Sequence, residues 1–141
     1  MKTLHFFLKS IIPVFLLIAM TGCNAPIEKK TKIDLEEITI DELREGYKTG
    51  KYSIVEITKV YLDRIEEIDA NGPELNSVIT INPDALEIAA ILDDELRQGK
   101  SRGAMHGIPV LLKDNIDTHD KMPNTAGSLI MKNSFPVKDA W

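Results

Sequence analysis

The sequence has almost no cysteine: Cys23 is the only one in 141 residues. A single thiol cannot form an internal disulfide, and no second cysteine is available to share a zinc site. The three histidines are not spaced as metal ligands, and no glycine-rich phosphate loop is present. These absences predict a protein without a metal ion, nucleotide or other cofactor.

Clustered positive charge is also missing. The chain has 17 Lys and Arg against 22 Asp and Glu, a formal net charge of -5, and no basic block. Surfaces that bind nucleic acid concentrate Lys and Arg on one face or along one helix. The composition therefore predicts that nucleic acid is not a partner.

No apolar run is long enough to cross a membrane. Residues 11–20 are almost wholly apolar, whereas a spanning helix needs roughly 20 apolar residues for a core of about 30 Å. Lys2 and Lys9 precede this run, and small residues follow it. A basic start, a short apolar centre and small residues are typical of an export signal. We predict that residues 1–22 are such a signal.

Cys23 follows Met20, Thr21 and Gly22. This segment resembles the lipobox of bacterial lipoproteins, whose cysteine is lipidated and becomes the first mature residue. The alternative is an ordinary secretory signal with a chance cysteine. The polar residues 23–37 are predicted to be a flexible tether. The resemblance implies a protein that is exported and anchored by lipid to the membrane of the bacterial cell envelope.

Two helices and their N-terminal caps are visible in the sequence. Thr39 with Glu42, and Ser53 with Glu56, have the spacing of a capping box. The first helix is predicted to end near Gly50. The second carries isoleucines at helical spacing and is predicted to end before residues 69–73.

Two short apolar segments alternate with a third helix. Residues 77–81 and 108–112 have the composition of strands, and the second is apolar enough to be buried on both faces. Asn82 as N-cap and Pro83 at the first position predict a helix that Gly99 closes. We predict an α/β fold, in which N-terminal helices precede the first strands of a mixed sheet that helices cover.

The segment His106-Gly-Ile-Pro-Val-Leu-Leu-Lys113-Asp114, followed by Thr125-Ala-Gly-Ser128, is the most distinctive part of the chain. It strongly resembles the first motif of the amidase signature family. The helices from about residue 38 and the segment 77–81 also come in the order that this family shows. The resemblance implies the amidase signature fold for residues 38–141, with only the N-terminal part of that fold present, and the chain reads as a fragment.

The same resemblance implies a chemistry: hydrolysis of amide C–N bonds by a lysine, a serine in a cis peptide and a nucleophilic serine. Lys113 takes the lysine role. Both serines lie in a glycine- and serine-rich segment of the family that has no match here, so we expect the isolated chain to be inactive. Ser128 belongs to the Thr-Ala-Gly-Ser turn and is expected to be a structural hydrogen-bonding residue near the site. The substrate of the whole enzyme would be a small amide.

Lysine can accept a proton only when it is neutral, and a nearby carboxylate favours its charged form. We therefore expect the side chain of Asp114 to point away from the amine of Lys113, as neighbours on a strand do. Other candidates have simpler explanations. His106 and His119 are expected to be structural, and residues 93–95 to be a solvated helix face.

Two other functions remain open at this stage. A degenerate lipoprotein could retain the anchor and the partial fold without catalysis, which the missing serines would allow. Within the family, the alternative is the amidotransferase subunit that frees ammonia for charging transfer RNA. That subunit works in the cytosol, so the export signal and Cys23 argue against it.

Overall fold

A computed structural model describes residues 33–140 of the chain. It contains three α-helices, a π-helical turn that continues the second helix, and one short 3₁₀ turn. These are α1 (Ile40–Thr49), α2 (Ile54–Arg64), the π-helical turn Ile65–Ala70, α3 (Ala85–Arg97) and the 3₁₀ turn Leu129–Met131. The predicted signal, Cys23 and most of the tether lie outside the described residues.

The N-termini of α1 and α2 confirm both predicted capping boxes. Thr39 accepts a hydrogen bond from the amide of Glu42 at 3.2 Å, and its own amide donates to the Glu42 carboxylate at 2.8 Å. Ser53 and Glu56 make the same exchange at 3.1 and 2.9 Å. Gly50 ends α1 at φ 70°, a left-handed conformation that favours glycine. Local sequence therefore sets these helix ends.

The start of α3 was predicted wrongly. The helix begins at Ala85, and Asn82 accepts from the amide of Asp84 at 2.9 Å. Asparagine readily forms such a bond two residues along the chain, which makes a turn instead of a helix cap. Leu86 and Ala90 of this helix are exposed. Ala89 is the buried residue of this helix.

A small apolar core joins the three helices. Its buried members are Leu35, Leu43, Tyr47, Tyr52, Ile54, Ile57 and Ala89. Helix α2 packs against α3, and Ile57 is completely buried. The hydroxyl of Tyr47 donates to the backbone oxygen of Gly107 at 2.9 Å. This bond connects α1 to the start of segment 108–112 and so to the residues that carry the motif.

The two predicted strands are not confirmed within residues 33–140. Segments 77–81 and 108–112 have no strand pairing there. The side chains of Val110, Leu111 and Leu112 are 59%, 77% and 52% exposed. A strand is defined by its partners, so an apolar pattern alone cannot form one when no neighbouring strand lies beside it.

Asp93 has a structural role that the sequence analysis missed. Its carboxylate accepts from the amides of Ile54 and Val55, at 2.8 and 3.0 Å, and so caps α2 from α3. The prediction of a purely solvated face at 93–95 is therefore wrong for Asp93. Free amides at a helix start favour a carboxylate both by hydrogen bonding and by the helix dipole.

We expect Asp93→Ala to lower the free energy of unfolding by about 1–2 kcal/mol, because two helix-start amides lose their acceptor. Asp94→Ala is the matched control, since Asp94 is exposed and its carboxylate pairs with the exposed Arg97 of the same helix. Urea unfolding followed by circular dichroism measures both. Equal losses in the two variants would contradict the role given to Asp93.

Candidate active site

Lys113 follows directly on the exposed apolar segment 108–112. Its side chain is exposed, and within residues 33–140 its amine has no hydrogen-bond or ion-pair partner. The backbone oxygen of Lys113 accepts from the amide of Ile116 at 2.9 Å, so the chain turns immediately after it. Lys113 thus lies at the end of the exposed apolar segment, and its amine is accessible to other groups.

Asp114 ties this position to the Thr125–Ser128 turn. Its carboxylate accepts from the hydroxyl of Thr125, from the amide of Thr125 at 3.3 Å and from the amide of Gly127 at 3.1 Å. Its backbone oxygen accepts from the amide of Ala126 at 2.9 Å. We call these four bonds the Asp114 clamp. The clamp brings the two halves of the motif, eleven to thirteen residues apart in sequence, into contact.

The turn held by the clamp has an uncommon backbone. Ala126 and Gly127 are consecutive residues with φ of 46° and 76°. The left-handed region costs a residue with a side chain free energy, and it persists only where surrounding contacts enforce it. Here the amides of both residues donate to Asp114. The structure therefore holds this turn to Asp114, the residue next to Lys113, at some conformational cost.

Asp114 makes no ion pair with Lys113 among the described residues, in line with the expectation that the two side chains diverge. The hydroxyl of Thr125, and next the amide of Gly127, hold the pKa of the Asp114 carboxyl below its usual value. The carboxylate is thus charged at neutral pH, and its charge is directed at the turn.

Ser128 closes the same turn through its backbone. Its amide donates to the oxygen of Thr125 at 2.8 Å, and its own oxygen accepts from Met131 at 3.0 Å. Within the described residues its hydroxyl does not cap the 3₁₀ turn that follows. The expected role of Ser128 as a structural residue near the site stays a prediction, as does the catalytic role of Lys113.

His106 is a buried structural residue, as the sequence analysis expected. Its Nδ1 accepts from the amide of Arg102 at 3.1 Å, so its Nε2 carries the proton that faces the oxygen of Leu92 at 3.0 Å. Arg102 also pairs with Glu95 at 2.6 Å. His106 therefore fastens the loop before the motif to α3. His119 is exposed, and its amide donates to Asp139 at 2.7 Å.

Thr125 is the residue of this site that sequence reasoning missed. It is buried, and its hydroxyl donates to Asp114 while it accepts from the amide of Gly127 at 3.1 Å. The sequence shows a carboxylate at Asp114 and a hydroxyl at Thr125, one in each half of the motif. It does not show that the two side chains bind each other, because that contact depends on the turn between them.

A second carboxylate is used in the same way. Asp69 accepts from the hydroxyl of Ser77 and from the amides of Ser77 and Val78, at 2.8 and 3.0 Å. These bonds lower the pKa of Asp69, with the hydroxyl of Ser77 as the largest cause. Asp69 and Asp114 therefore each hold a loop segment that lies eight to thirteen residues further along the chain.

Because both pKa values are lowered on folding, we expect acid to destabilise the fold. The contribution is fully present above the unfolded value of about 3.9 and is lost as the pH falls through the lower folded pKa. Urea unfolding at several pH values measures it, with Asp69→Asn and Asp114→Asn as variants. Each variant should flatten the fall in stability on the acid side, and an unchanged slope would contradict the assignment.

Neither a metal-ligand group nor a membrane-spanning helix is found in the described part of the chain. Residues 33–140 hold no group of three His, Cys, Asp or Glu side chains placed to share a metal ion. None of the helices in this range has the length and apolar character needed to cross a membrane.

The chain is similar to known amidases over the region that contains the clamp. The family model described as Amidase matches residues 56–141. A Schizosaccharomyces pombe protein named "putative amidase" is 41% identical over 116 residues, which is 82% of this chain and 19% of that protein. The A-type subunit of the glutamyl-tRNA(Gln) amidotransferase of Thermoanaerobacter pseudethanolicus is 38% identical, over 77% of this chain and 21% of that protein.

Solved structures show the same likeness. The native peptide amidase from Stenotrophomonas maltophilia superposes with a TM-score of 0.70 at 43% identity, over 73% of this chain and 21% of that chain. An amidase family protein from Bacillus anthracis gives 0.69 at 44% identity. The chain therefore spans about a fifth of the length of these proteins. Similarity to them supports the α/β class at the level of the family.

Proposed function

This chain belongs to the amidase family, and on that premise we propose that it supplies the N-terminal part of an enzyme that hydrolyses amide C–N bonds, with Lys113 as the base. The observation that carries the proposal is the Asp114 clamp, which holds the residue directly after Lys113 to the Thr125–Ser128 turn. The family model covers both of these segments.

The proposed chemistry is the one that the resemblance to the amidase signature family implies. A neutral lysine accepts a proton, through a bridging serine hydroxyl, from a second serine whose oxygen attacks the amide carbon. Backbone amides stabilise the oxyanion, the C–N bond breaks, and the departing nitrogen takes up a proton. Water then hydrolyses the ester of the acyl-enzyme, which releases the carboxylic acid. Both serines belong to the part of the family fold that this chain does not match.

The exposure of segment 108–112 supports the proposal that this chain supplies the base and the rest of the fold supplies the serines. Val110, Leu111 and Leu112 are more than half exposed, although such residues favour burial by roughly 1.5–3 kcal/mol each. In the proposed enzyme the remaining part of the fold pairs with segment 108–112 as a strand and covers it. The same covering excludes water from Lys113 and so favours the neutral amine.

The proposed location is the bacterial cell envelope, with residues 1–22 removed and Cys23 carrying the lipid. Several acyl chains, at about 0.8 kcal/mol per buried CH₂, hold a protein firmly to a membrane. We expect Cys23→Ser to move the protein from the membrane fraction to the soluble fraction, while Asn24→Ser leaves it in the membrane fraction. Immunoblots of fractionated bacteria measure this, and retention of the Cys23→Ser variant would contradict the anchor.

The second candidate is a component of an amidotransferase, which the 38% identity to the Thermoanaerobacter protein favours. The predicted export signal and the absence of a basic block argue against a partner that binds transfer RNA. An amidase should hydrolyse a substrate without a partner protein, whereas an amidotransferase component needs an acceptor complex. Turnover that appears only with such a complex would favour the second candidate.

A chimera tests the proposed function. Residues 33–140 replace the matching segment of the Stenotrophomonas maltophilia peptide amidase, and release of ammonia from a peptide amide is measured. We expect turnover by the chimera and none by the isolated chain, which has a base but no matched nucleophile. A chimera that folds but does not hydrolyse the amide would contradict the proposal.

A further inference from the structure

We infer that Asp114 and Thr125 are positioning residues for Lys113, and that the hydroxyl of Thr125 keeps the Asp114 carboxylate from becoming the counter-ion of the lysine. The importance of this arrangement for catalysis rests on the proposed function. The hydrogen bond from Thr125 to Asp114 is itself a feature of the described residues. The inference gives a role to Thr125, which lies twelve residues after Lys113 in sequence.

The side chain of Asp114 has a choice of partners. Asp114 directly follows Lys113 in sequence, so its carboxylate can become the counter-ion of the amine when the two side chains turn to the same side. In the structure the carboxylate instead faces the Thr125–Ser128 turn and takes three hydrogen bonds there. The backbone bond from Ala126 to the oxygen of Asp114 holds the turn in reach at 2.9 Å.

The turn fills most of the acceptor capacity of the Asp114 carboxylate. A carboxylate has about four lone-pair sites, and three donors from the turn already occupy sites on Asp114. The hydroxyl of Thr125 and the amide of Gly127 both donate to the same oxygen, Oδ2. Of these donors, only the hydroxyl belongs to a side chain, so it is the one that substitution can remove cleanly.

The charge of Asp114 bears on Lys113 because the two residues are neighbours in sequence. A carboxylate beside an amine favours the ammonium form, which can neither accept a proton nor react as a nucleophile. Thr125 is buried, which shields its bond to Asp114 from competing water. Removing the hydroxyl frees part of Oδ2 and weakens the hold of the turn on the carboxylate. The freed carboxylate then pairs with the neighbouring amine.

Amine reactivity of the chain itself tests this inference. The 141-residue chain is treated with an amine-reactive N-hydroxysuccinimide ester, and the labelling rate of Lys113 is read by peptide mass spectrometry relative to the exposed Lys132. We expect Thr125→Val to slow labelling of Lys113 by about threefold to tenfold, the range for one added carboxylate beside an exposed amine. Thr125→Ser retains the hydroxyl and should label at the wild-type rate.

Adding Asp114→Asn to Thr125→Val should restore the wild-type rate, because the charge that acts on Lys113 is then gone. Asp114→Asn alone should leave the rate unchanged, since no ion pair joins the two residues in the structure. The inference is overturned if Thr125→Val and Thr125→Ser label equally. It is also overturned if the slowing survives Asp114→Asn, or if Asp114→Asn alone accelerates labelling.

Should Thr125→Val fail to fold, as circular dichroism would show, Asp114→Asn alone still decides the matter. Faster labelling in that variant would mean that Asp114 already pairs with Lys113, which contradicts the inference, and an unchanged rate supports it. These readouts do not depend on turnover. An inactive chimera together with the predicted labelling pattern would contradict the proposed function but not the inference about Asp114 and Thr125.

Discussion

Lys113→Ala is expected to lower kcat for amide hydrolysis by the chimera at least about 10³-fold, because the reaction loses the group that accepts the serine proton. Lys113 is exposed within residues 33–140 and contacts no partner there, so its removal should leave the fold unchanged. Ammonia release measures the activity, and circular dichroism measures the fold. Turnover that stays within about tenfold of the parent chimera would contradict the assignment of Lys113.

Two control variants separate the base from other effects of substitution. Lys113→Arg keeps a long cationic side chain that cannot give up its proton near neutral pH, so it should be as inactive as Lys113→Ala. Lys132→Ala removes an exposed lysine from another loop and should leave kcat unchanged. Activity in Lys113→Arg would mean that positive charge, and not proton transfer, is what the site requires.

Gly107→Ala is expected to lower the free energy of unfolding by about 2–5 kcal/mol. Gly107 has φ 76°, and an added Cβ would lie 2.5 Å from Cδ1 of Ile54, which is almost completely buried. The backbone contributes about 1–2 kcal/mol and overpacking about 1–3 kcal/mol. Urea unfolding measures the loss, which should appear as a lower midpoint at unchanged slope.

Gly99→Ala is the matched control for this effect. Gly99 has nearly the same φ, 72°, and nothing lies within 4 Å of an added Cβ, so only the backbone contribution of about 1–2 kcal/mol should remain. In an Ile54→Ala background, which removes all three of the nearest atoms, Gly107→Ala should cost less than in the wild type. Equal losses at Gly99 and Gly107 would contradict the close packing of segment 107–108 on α2.

The structure confirms the sequence predictions that depend on neighbours in sequence. Both capping boxes and the glycine end of α1 rest on contacts over three or four residues, and each is found as expected. The predicted cap at Asn82 failed for a related reason. Its side chain had two local options, a turn or a helix cap, and the sequence did not distinguish them.

Contacts between distant residues could not be predicted. Asp93 was interpreted as solvated because its own helix face is polar, although it caps a helix 39 residues earlier. The Asp114 clamp depends on the path of the chain between residues 114 and 125. The strands predicted at 77–81 and 108–112 rested on composition alone, and pairing requires neighbours that composition does not supply.

For the candidate site, sequence reasoning found the motif but not its internal contacts. The spelling around Lys113 and Ser128 identified the family that the comparisons show. Nothing in that spelling indicated that Thr125 is buried or that its hydroxyl binds Asp114. The residue types of the motif were recognisable in the sequence. The contact between Asp114 and Thr125 could not be predicted, because it requires the left-handed turn at Ala126 and Gly127.

A crystal structure of the chimera would test the central claim most directly, through the distance from Nζ of Lys113 to the nearest serine hydroxyl of the host enzyme. We predict a hydrogen-bond distance of about 2.6–3.2 Å, with segment 108–112 paired as a strand and the Asp114 clamp retained. An amine that points to solvent or pairs with Asp114, in a chimera that is otherwise folded, would contradict the claim that this chain supplies the base.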